Sequence, residues 1–464
     1  MRPRINYKNR WVLMLLLLGL VSCNNGLPLE PLVISRADYA NSLQGFWLGQ
    51  NIANWTGLIT EMDKVGTPAT MPFYTDTDWG GPDQLAMWGE YMPHAQTIDF
   101  YFEPAGQPWG SDDDTDIEYM YAHLHRELAT SKLSATQIRD GWLKHIYSET
   151  DAPVFKKFAN SEPQIENFLW VSNERARQLM EQGMVPPATS APANNNKAMM
   201  IDAQLTTEIF GLLAPGRPDT ALDIAYLPIR TTAYGEAQWV AQFYVVMHSL
   251  ASATDSSQTM QQQTEWLAEQ ASAYLPEQSA ALKIYQFVKQ QYIQHPHSWE
   301  QTRDAVYQRY QVQSTDGYSY SEPFDGLINF AAGLVSLFYG EGDIVRTVQI
   351  GSLVGWDSDN PTATWGGLLG FMLGVDGVEM AFQAVKPQTD MSKTYWIHRT
   401  RRNFPDHLPA QKGEDSFANM AARELVTIDL VVEQQMGGQI SEAANSWVIP
   451  RLQQSSETGL MTGP

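Results

Sequence analysis

Small residues recur at intervals of about four near the start of this chain: Ala40, Gly45, Gly49, Ala53 and Gly57. Glycine inside a helix costs about 1 kcal/mol against alanine, so a glycine-lined face implies that another helix or a ligand comes close to the backbone there. Helical period also dominates residues 135–147, 161–182, 236–251, 258–274, 280–291 and 416–435. Residues 324–339 are apolar nearly all round, the pattern of a central buried helix. Strand signals are few and no internal repeat is evident. These features predict an all-α fold of many packed helices in one domain spanning residues 35–450. A hydrophobic content of 43% over 464 residues permits the large core that such a fold requires.

Chemistry concentrates in two acidic stretches. The turn Gly355-Trp356-Asp357-Ser358-Asp359-Asn360-Pro361-Thr362 follows an apolar run and leads into small residues 363–374. Alternate side chains of a turning segment share a side, so Asp357 and Asp359 can aim at one point while Ser358 points away. A hard divalent cation suits that point. Upstream, Ser111-Asp112-Asp113-Asp114-Thr115-Asp116 opens a helix whose Ile117, Met120, Tyr121, Leu124 and Leu128 fall at the spacing of a buried stripe. Acids at a helix start complement its dipole, and for either stretch alone that explanation is as good as metal binding. Dipole effects of about 0.3–1 kcal/mol each do not call for such crowding of carboxylates, however, and a shared cation relieves their repulsion. Brought together, the two stretches would surround one or two metal ions with oxygen donors, the arrangement of two-metal hydrolysis.

Three separated motifs in register resemble the ADP-ribosylglycohydrolase family. They are Asp113-Asp114-Thr115 at a helix start, the late turn Gly355 to Asp359 entering a Gly/Ala-rich helix, and Gly45-Phe46-Trp47-Leu48-Gly49 followed by Asn54, Gly57 and Glu61. The likeness runs from about Ala40 to Gly437-Gly438. It implies a multi-helix ADP-ribosylglycohydrolase-like fold and a metal-dependent hydrolase that cleaves an ADP-ribosyl or related ribosyl N-glycosidic bond. By the same resemblance Asp112, Asp113, Asp114, Asp357, Asp359 and Asn360 hold two Mg or Mn ions, and Glu61 and Asp113 are catalytic. Tyr234, Trp356 and Ser358 are the expected substrate-binding residues. The chain departs from the family at Asp112, where Thr or Ser is usual, at Asn54 in place of Asp, and at Asn360 in place of a hydroxyl. Thr232-Ala233-Tyr234-Gly235-Glu236 also departs from a His-Asp-Gly-Glu run. Each change at the metal motifs keeps an oxygen donor. Hydrolysis of another glycoside stays open, as does a surface protein that binds a glycan or nucleotide without turnover, which the 15 tryptophans would suit.

Arg2, Arg4, Lys8 and Arg10 precede an apolar run, residues 11–20, and then Leu20-Val21-Ser22-Cys23. This reads as a signal peptide over 1–22, too short in its apolar part for a permanent span, with Cys23 as the lipidated residue of an exported bacterial lipoprotein anchored in a membrane. Residues 23–34, with Pro28 and Pro31, form the tether, and 451–464 a polar tail. Cys23 is the only cysteine, which excludes an intramolecular disulfide, a thiolate metal site and a cysteine nucleophile. A formal charge of −22 disfavours nucleic acid as a partner, so the expected ligand is a small molecule or an ADP-ribosylated substrate. The basic run His398-Arg399-Thr400-Arg401-Arg402 is more commonly a solvated face than a phosphate receptor. His123 and His125 lie two apart on a helix, hence on different faces, and are read as ordinary helix residues.

Overall fold

A computed structural model describes residues 30–91, 95–103, 109–110, 112–146, 169–386, 396–398 and 414–451. The leader with Cys23, most of the tether, Ser111, the arginines of the basic run and the tail beyond Arg451 lie outside the described residues. The described helices are α1 (Arg36–Gly57), α2 (Asp113–Glu127), α3 (Ala135–His145), α4 (Val171–Glu181), α5 (Asp202–Leu205), α6 (Ile209–Leu212), α7 (Pro218–Thr232), α8 (Glu236–Ala251), α9 (Met260–Ser272), α10 (Ala280–Gln294), α11 (Trp299–Val306), α12 (Gly326–Gly340), α13 (Ile344–Val354), α14 (Asp359–Val385) and α15 (Phe417–Gln434). The fold is all-α, trimmed by two small sheets. In one, β1 (Leu32–Ser35) pairs antiparallel with β6 (Ser446–Ile449), which pairs with β5 (Gln439–Ser441), so the two ends of the fold are joined. In the other, β3 (Trp396–His398) lies parallel to β2 (Trp109–Gly110) and antiparallel to β4 (Glu414–Ser416).

The small-residue face of α1 meets a matching face of α14. A Cβ added at Gly49 would stand 2.2 Å from the Gly366 carbonyl oxygen, one at Gly45 would stand 2.2 Å from that of Gly370, and one at Gly57 would stand 2.5 Å from Asp359 Cα. Rising numbers on α1 meet falling numbers on α14, so the helices run antiparallel with backbones in direct contact. At the far end Gly374 (φ 70°) interrupts the helical backbone, a conformation in which a side chain would be strained. Among the described residues α14 is the one helix long and apolar enough to cross a membrane, but every residue from 359 to 371 is buried within the fold. Gly49→Ala tests the contact through its sign. Alanine at an exposed helical glycine gains about 1 kcal/mol, whereas here it should lower stability by about 1–3 kcal/mol, seen as a fall in the urea midpoint.

Buried α12 holds the middle of the molecule, every one of its residues out of solvent. Asp343 caps α13 by accepting from the amides of Val345 and Arg346. Two positions differ from the pattern read in the sequence. α1 ends at Gly57, leaving Glu61 in the following turn, because Thr60 hydroxyl-bonds to the carbonyls of Ser352 and Gly57 and draws the chain aside. Leu128, placed in the buried stripe of α2, caps the helix end and is 41% exposed. Of the helix expected over 161–182, residues 161–168 lie outside the described residues, and the described helix begins at Val171.

His248 on α8 is fully buried, and its Nδ1–H donates to the Tyr244 carbonyl, 2.8 Å away, since a carbonyl can only accept. Burial pushes its pKa down to about 4. The unfolded chain, with an ordinary histidine near 6.5, binds the extra proton first, so this contribution to stability is complete above about pH 6.5 and falls away as the pH drops toward 4, by about 3 kcal/mol. Urea unfolding at pH 7 and pH 5 should show a smaller acid loss for His248→Met than for the native chain.

Candidate active site

The two acidic stretches meet. Asp112 caps α2, its side chain accepting from the Asp113 amide at 2.9 Å, while Asp113, Asp114 and Asp116 fill the first turn. Across from it the chain leaves α13 through Gly355 (φ 101°) and Trp356 (φ 59°), a reversal that sets Asp357 and Asp359 at the head of α14. Two backbone bonds tie that reversal to the turn after α1: Trp356 N–H to Lys64 O, 2.8 Å, and Met62 N–H to Trp356 O, 3.0 Å. The Asp357 amide donates to Asn329 Oδ1 at 3.1 Å, which explains a buried asparagine on apolar α12. As a result Glu61, Asp357 and Asp359 each offer a carboxylate oxygen within 4.8 Å of the other two. Asn54 joins the stretches, its Nδ2 lying 3.3 Å from Asp112 Oδ2 and 3.5 Å from Asp359 Oδ2. The side-chain amide of Asn360 donates to Asp357 Oδ2 at 3.0 Å.

Mutual repulsion governs the electrostatics. Burial, then the charges of Asp357, Asp112 and Asp63, hold the Glu61 carboxyl well above its usual range. Burial and neighbouring carboxylates do the same for Asp113, Asp114 and Asp359, and Asp357 is pushed up to about 7 by burial. Several buried oxygens in this cluster have no hydrogen-bond partner: Oδ1 of Asn54, Asp357, Asp359 and Asn360, and Oδ2 of Asp114. A set of hard oxygen donors that repel one another and lack protons to accept fits a divalent cation of the magnesium or manganese kind.

Other expected positions fall elsewhere. Trp356 is fully buried, its indole donating to Gln311 Oε1 at 2.8 Å and its ring packed 5.0 Å from Phe73. Ser358, also buried, donates to Gly57 O at 3.1 Å, so its hydroxyl locks α1 to α14. Tyr234 is 43% exposed beneath the Arg230 guanidinium, 5.1 Å from its ring centroid. The reversal that aims the aspartates turns Trp356 and Ser358 inward, where both brace the framework around the cluster. Sequence reasoning gave no site role to Asp202 on α5, buried with an unpartnered Oδ2, whose charge acts on both Asp113 and Asp357. It also missed an inner pair, Glu118 and Glu208. Glu118 accepts from Gln50 and the Ile209 amide, and Glu208 from Thr364, and Glu208's charge acts on Asp114. The available signal was an acid inside an otherwise apolar buried segment, as in Ile201-Asp202-Ala203.

A family model described as ADP-ribosylglycohydrolase matches residues 35–407. The chain belongs to the ADP-ribosylglycohydrolase family. Its coarse activity follows: a glycosidase-type hydrolase acting on ADP-ribose-like substrates. A solved structure described as an ADP-ribosylglycohydrolase-related protein complex is similar at 14% identity and a TM-score of 0.46, over 85% of this chain and 99% of that one. No curated protein matches.

The crowding of these carboxylates should be measurable. Metal-free Asp359→Asn should be more stable than the native chain by about 1–2 kcal/mol, because one repelling charge is gone and Asn54 keeps an acceptor. Manganese or magnesium should raise the melting temperature of the native chain and leave that of the variant unmoved in a thermal scan.

Proposed function

We propose that this protein is a divalent-cation-dependent glycosidase that hydrolyses an ADP-ribosyl or related ribosyl N-glycosidic bond, with Asp112, Asp113, Asp114, Asp357, Asp359 and Asn360 holding two Mg or Mn ions. The observation that supports it is the convergence of Glu61, Asp357 and Asp359 within 4.8 Å, beside buried oxygens that lack partners. Asp202 extends the donor set. Bound metal would supply positive charge that orients the ribose diol and water. Glu61, raised in pKa and half-buried, suits the removal of a proton from the attacking water. As the water oxygen bonds to the anomeric carbon, the carbon–nitrogen bond breaks and its electron pair leaves with the aglycone. Positive charge developing on the ribose ring is stabilised by the surrounding carboxylates.

We also propose that the chain is an exported lipoprotein held to a membrane through Cys23, a reading supported by the charged and apolar leader ahead of it. Its acidic surface speaks against nucleic acid as a partner.

Release of free ribosyl product from ADP-ribosylated peptides, ADP-ribose derivatives and nucleosides, compared in magnesium, manganese and chelator, tests the activity. Turnover should stop with chelator and with Asp357→Ala or Asp113→Ala. Glu61→Gln should lower it by about 10²–10⁴-fold. Full turnover in Asp113→Ala would remove the basis of the mechanism, and tight binding of an unchanged ligand would replace the hydrolase with a binding protein.

A further inference from the structure

Away from the carboxylate cluster, at the far end of α2, a second group of metal-ligating side chains comes together. His123 and Glu127 lie one helical turn apart on α2, and His145 sits in the last turn of α3. One ligand atom from each falls within 4.8 Å of the other two. His123 Nε2 is 3.1 Å and His145 Nε2 is 3.5 Å from the same oxygen, Glu127 Oε2. Two imidazole nitrogens and a carboxylate oxygen bound to zinc at ~2.0–2.1 Å in a tetrahedron stand about 3.3–3.4 Å apart, and the two nitrogen–oxygen separations fall on either side of that length.

The packing that produces this is specific. Gly141 on α3 faces Leu124 on α2 so closely that a Cβ there would lie 2.4 Å from Leu124 Cδ1, which lets the two helices close and carries His145, one turn later, onto Glu127. The imidazoles meet edge to face at 4.8 Å, with His145 fully buried and the His123 side chain 8% exposed. Lys144 holds the other carboxylate oxygen, Glu127 Oε1, at 2.7 Å, which fixes the orientation of Oε2 toward the rings. The Glu127 side chain is 34% exposed, so solvent reaches the carboxylate of the cluster.

We propose that His123, Glu127 and His145 form a second metal site, selective for zinc over magnesium or manganese, that ties α2 to α3. Nitrogen donors favour zinc and other late first-row metals, whereas magnesium and manganese prefer the all-oxygen cluster at the start of α2. The metal needs no electron transfer and no co-reactant; it replaces any proton on the imidazole nitrogens that face Glu127.

The test is zinc stoichiometry and affinity of the full-length chain in excess magnesium, with cobalt(II) as a spectroscopic probe. The native chain should hold one zinc per molecule, melt at a higher temperature with zinc than without, and give cobalt the intense visible bands of a tetrahedral site. His123→Gln and Glu127→Gln should each weaken zinc binding by about tenfold or more and remove the cobalt bands. Asp357→Asn should change neither, which separates this site from the catalytic one and from the fate of the hydrolase reading. His145→Gln is the third arm, and the partly exposed His123 and Glu127 variants decide the matter should buried His145 prove needed for folding. Absence of bound zinc in the native chain overturns the proposal and leaves a carboxylate that anchors two imidazoles. Zinc binding that survives His123→Gln but is lost in Asp357→Asn overturns it as well.

Discussion

Backbone contact between α1 and α14 is the constraint on which the rest of the molecule depends. The two helices approach closely enough that a Cβ at Gly45 or Gly49 would fall 2.2 Å from a carbonyl oxygen of the other. Because they run antiparallel, the C-terminal end of α1 is pinned to the N-terminal end of α14. Gly57 abuts Asp359, Ser358 donates to Gly57, and Asn54 reaches Asp359 from the last turn of α1. A displacement by one turn would slide these partners by about 5.4 Å and separate Glu61 from Asp357 and Asp359. The glycine face therefore sets the position of the clustered carboxylates as well as the packing of the core.

The carboxylates are held where they repel. Framework bonds impose this: Asn329 on the Asp357 amide, Asn360 on Asp357 Oδ2, and the backbone ladder between Trp356 and residues 62 and 64. Asn54, where the family resemblance implies an aspartate, contributes a donor to Asp112 and Asp359 in place of another negative charge. The substitution lowers the repulsion within the protein while leaving Oδ1 of Asn54 available to a cation. The extra carboxylate at Asp112 acts in the opposite direction and adds to the field at Glu61, Asp113 and Asp359. The departures thus redistribute charge within the site and retain its oxygen donors.

Much of this was legible in the residues because it rests on local rules. Periodicity gave α8 over 236–251 to the residue, and apolar α12 followed from short-range patterns. The acids of α2 and the turn before α14 stood out as candidate donors, although spacing alone left helix-dipole complementation an equal explanation for either stretch. What stayed hidden depends on contacts distant in sequence. Nothing local tells Trp356 to turn inward onto Gln311, or Asp202 to face Asp113 across some ninety residues. His123 illustrates the same limit: judged against His125 it has no metal-binding partner, yet its neighbours in space are Glu127, one turn on, and His145 on another helix. The i, i+4 pair was present in the sequence; the third ligand was not deducible from it.

α2 emerges as an element with different donor sets at its two ends. Oxygen-only ligands gather at its first turn, and a nitrogen-rich set lies about 15–20 Å along it at His123 and Glu127. Hard cations that keep water readily gain little from imidazole, and late transition metals gain most from it, so the two ends select different ions from one mixture. The distance exceeds the Debye length in physiological salt, so direct repulsion between ions at the two ends is weak. What remains is mechanical. α2 is a continuous helix, its N-terminal carboxylates are positioned by its axis, and whatever fixes its far end against α3 narrows the range over which Asp112 and Asp113 can move relative to Asp357 and Asp359.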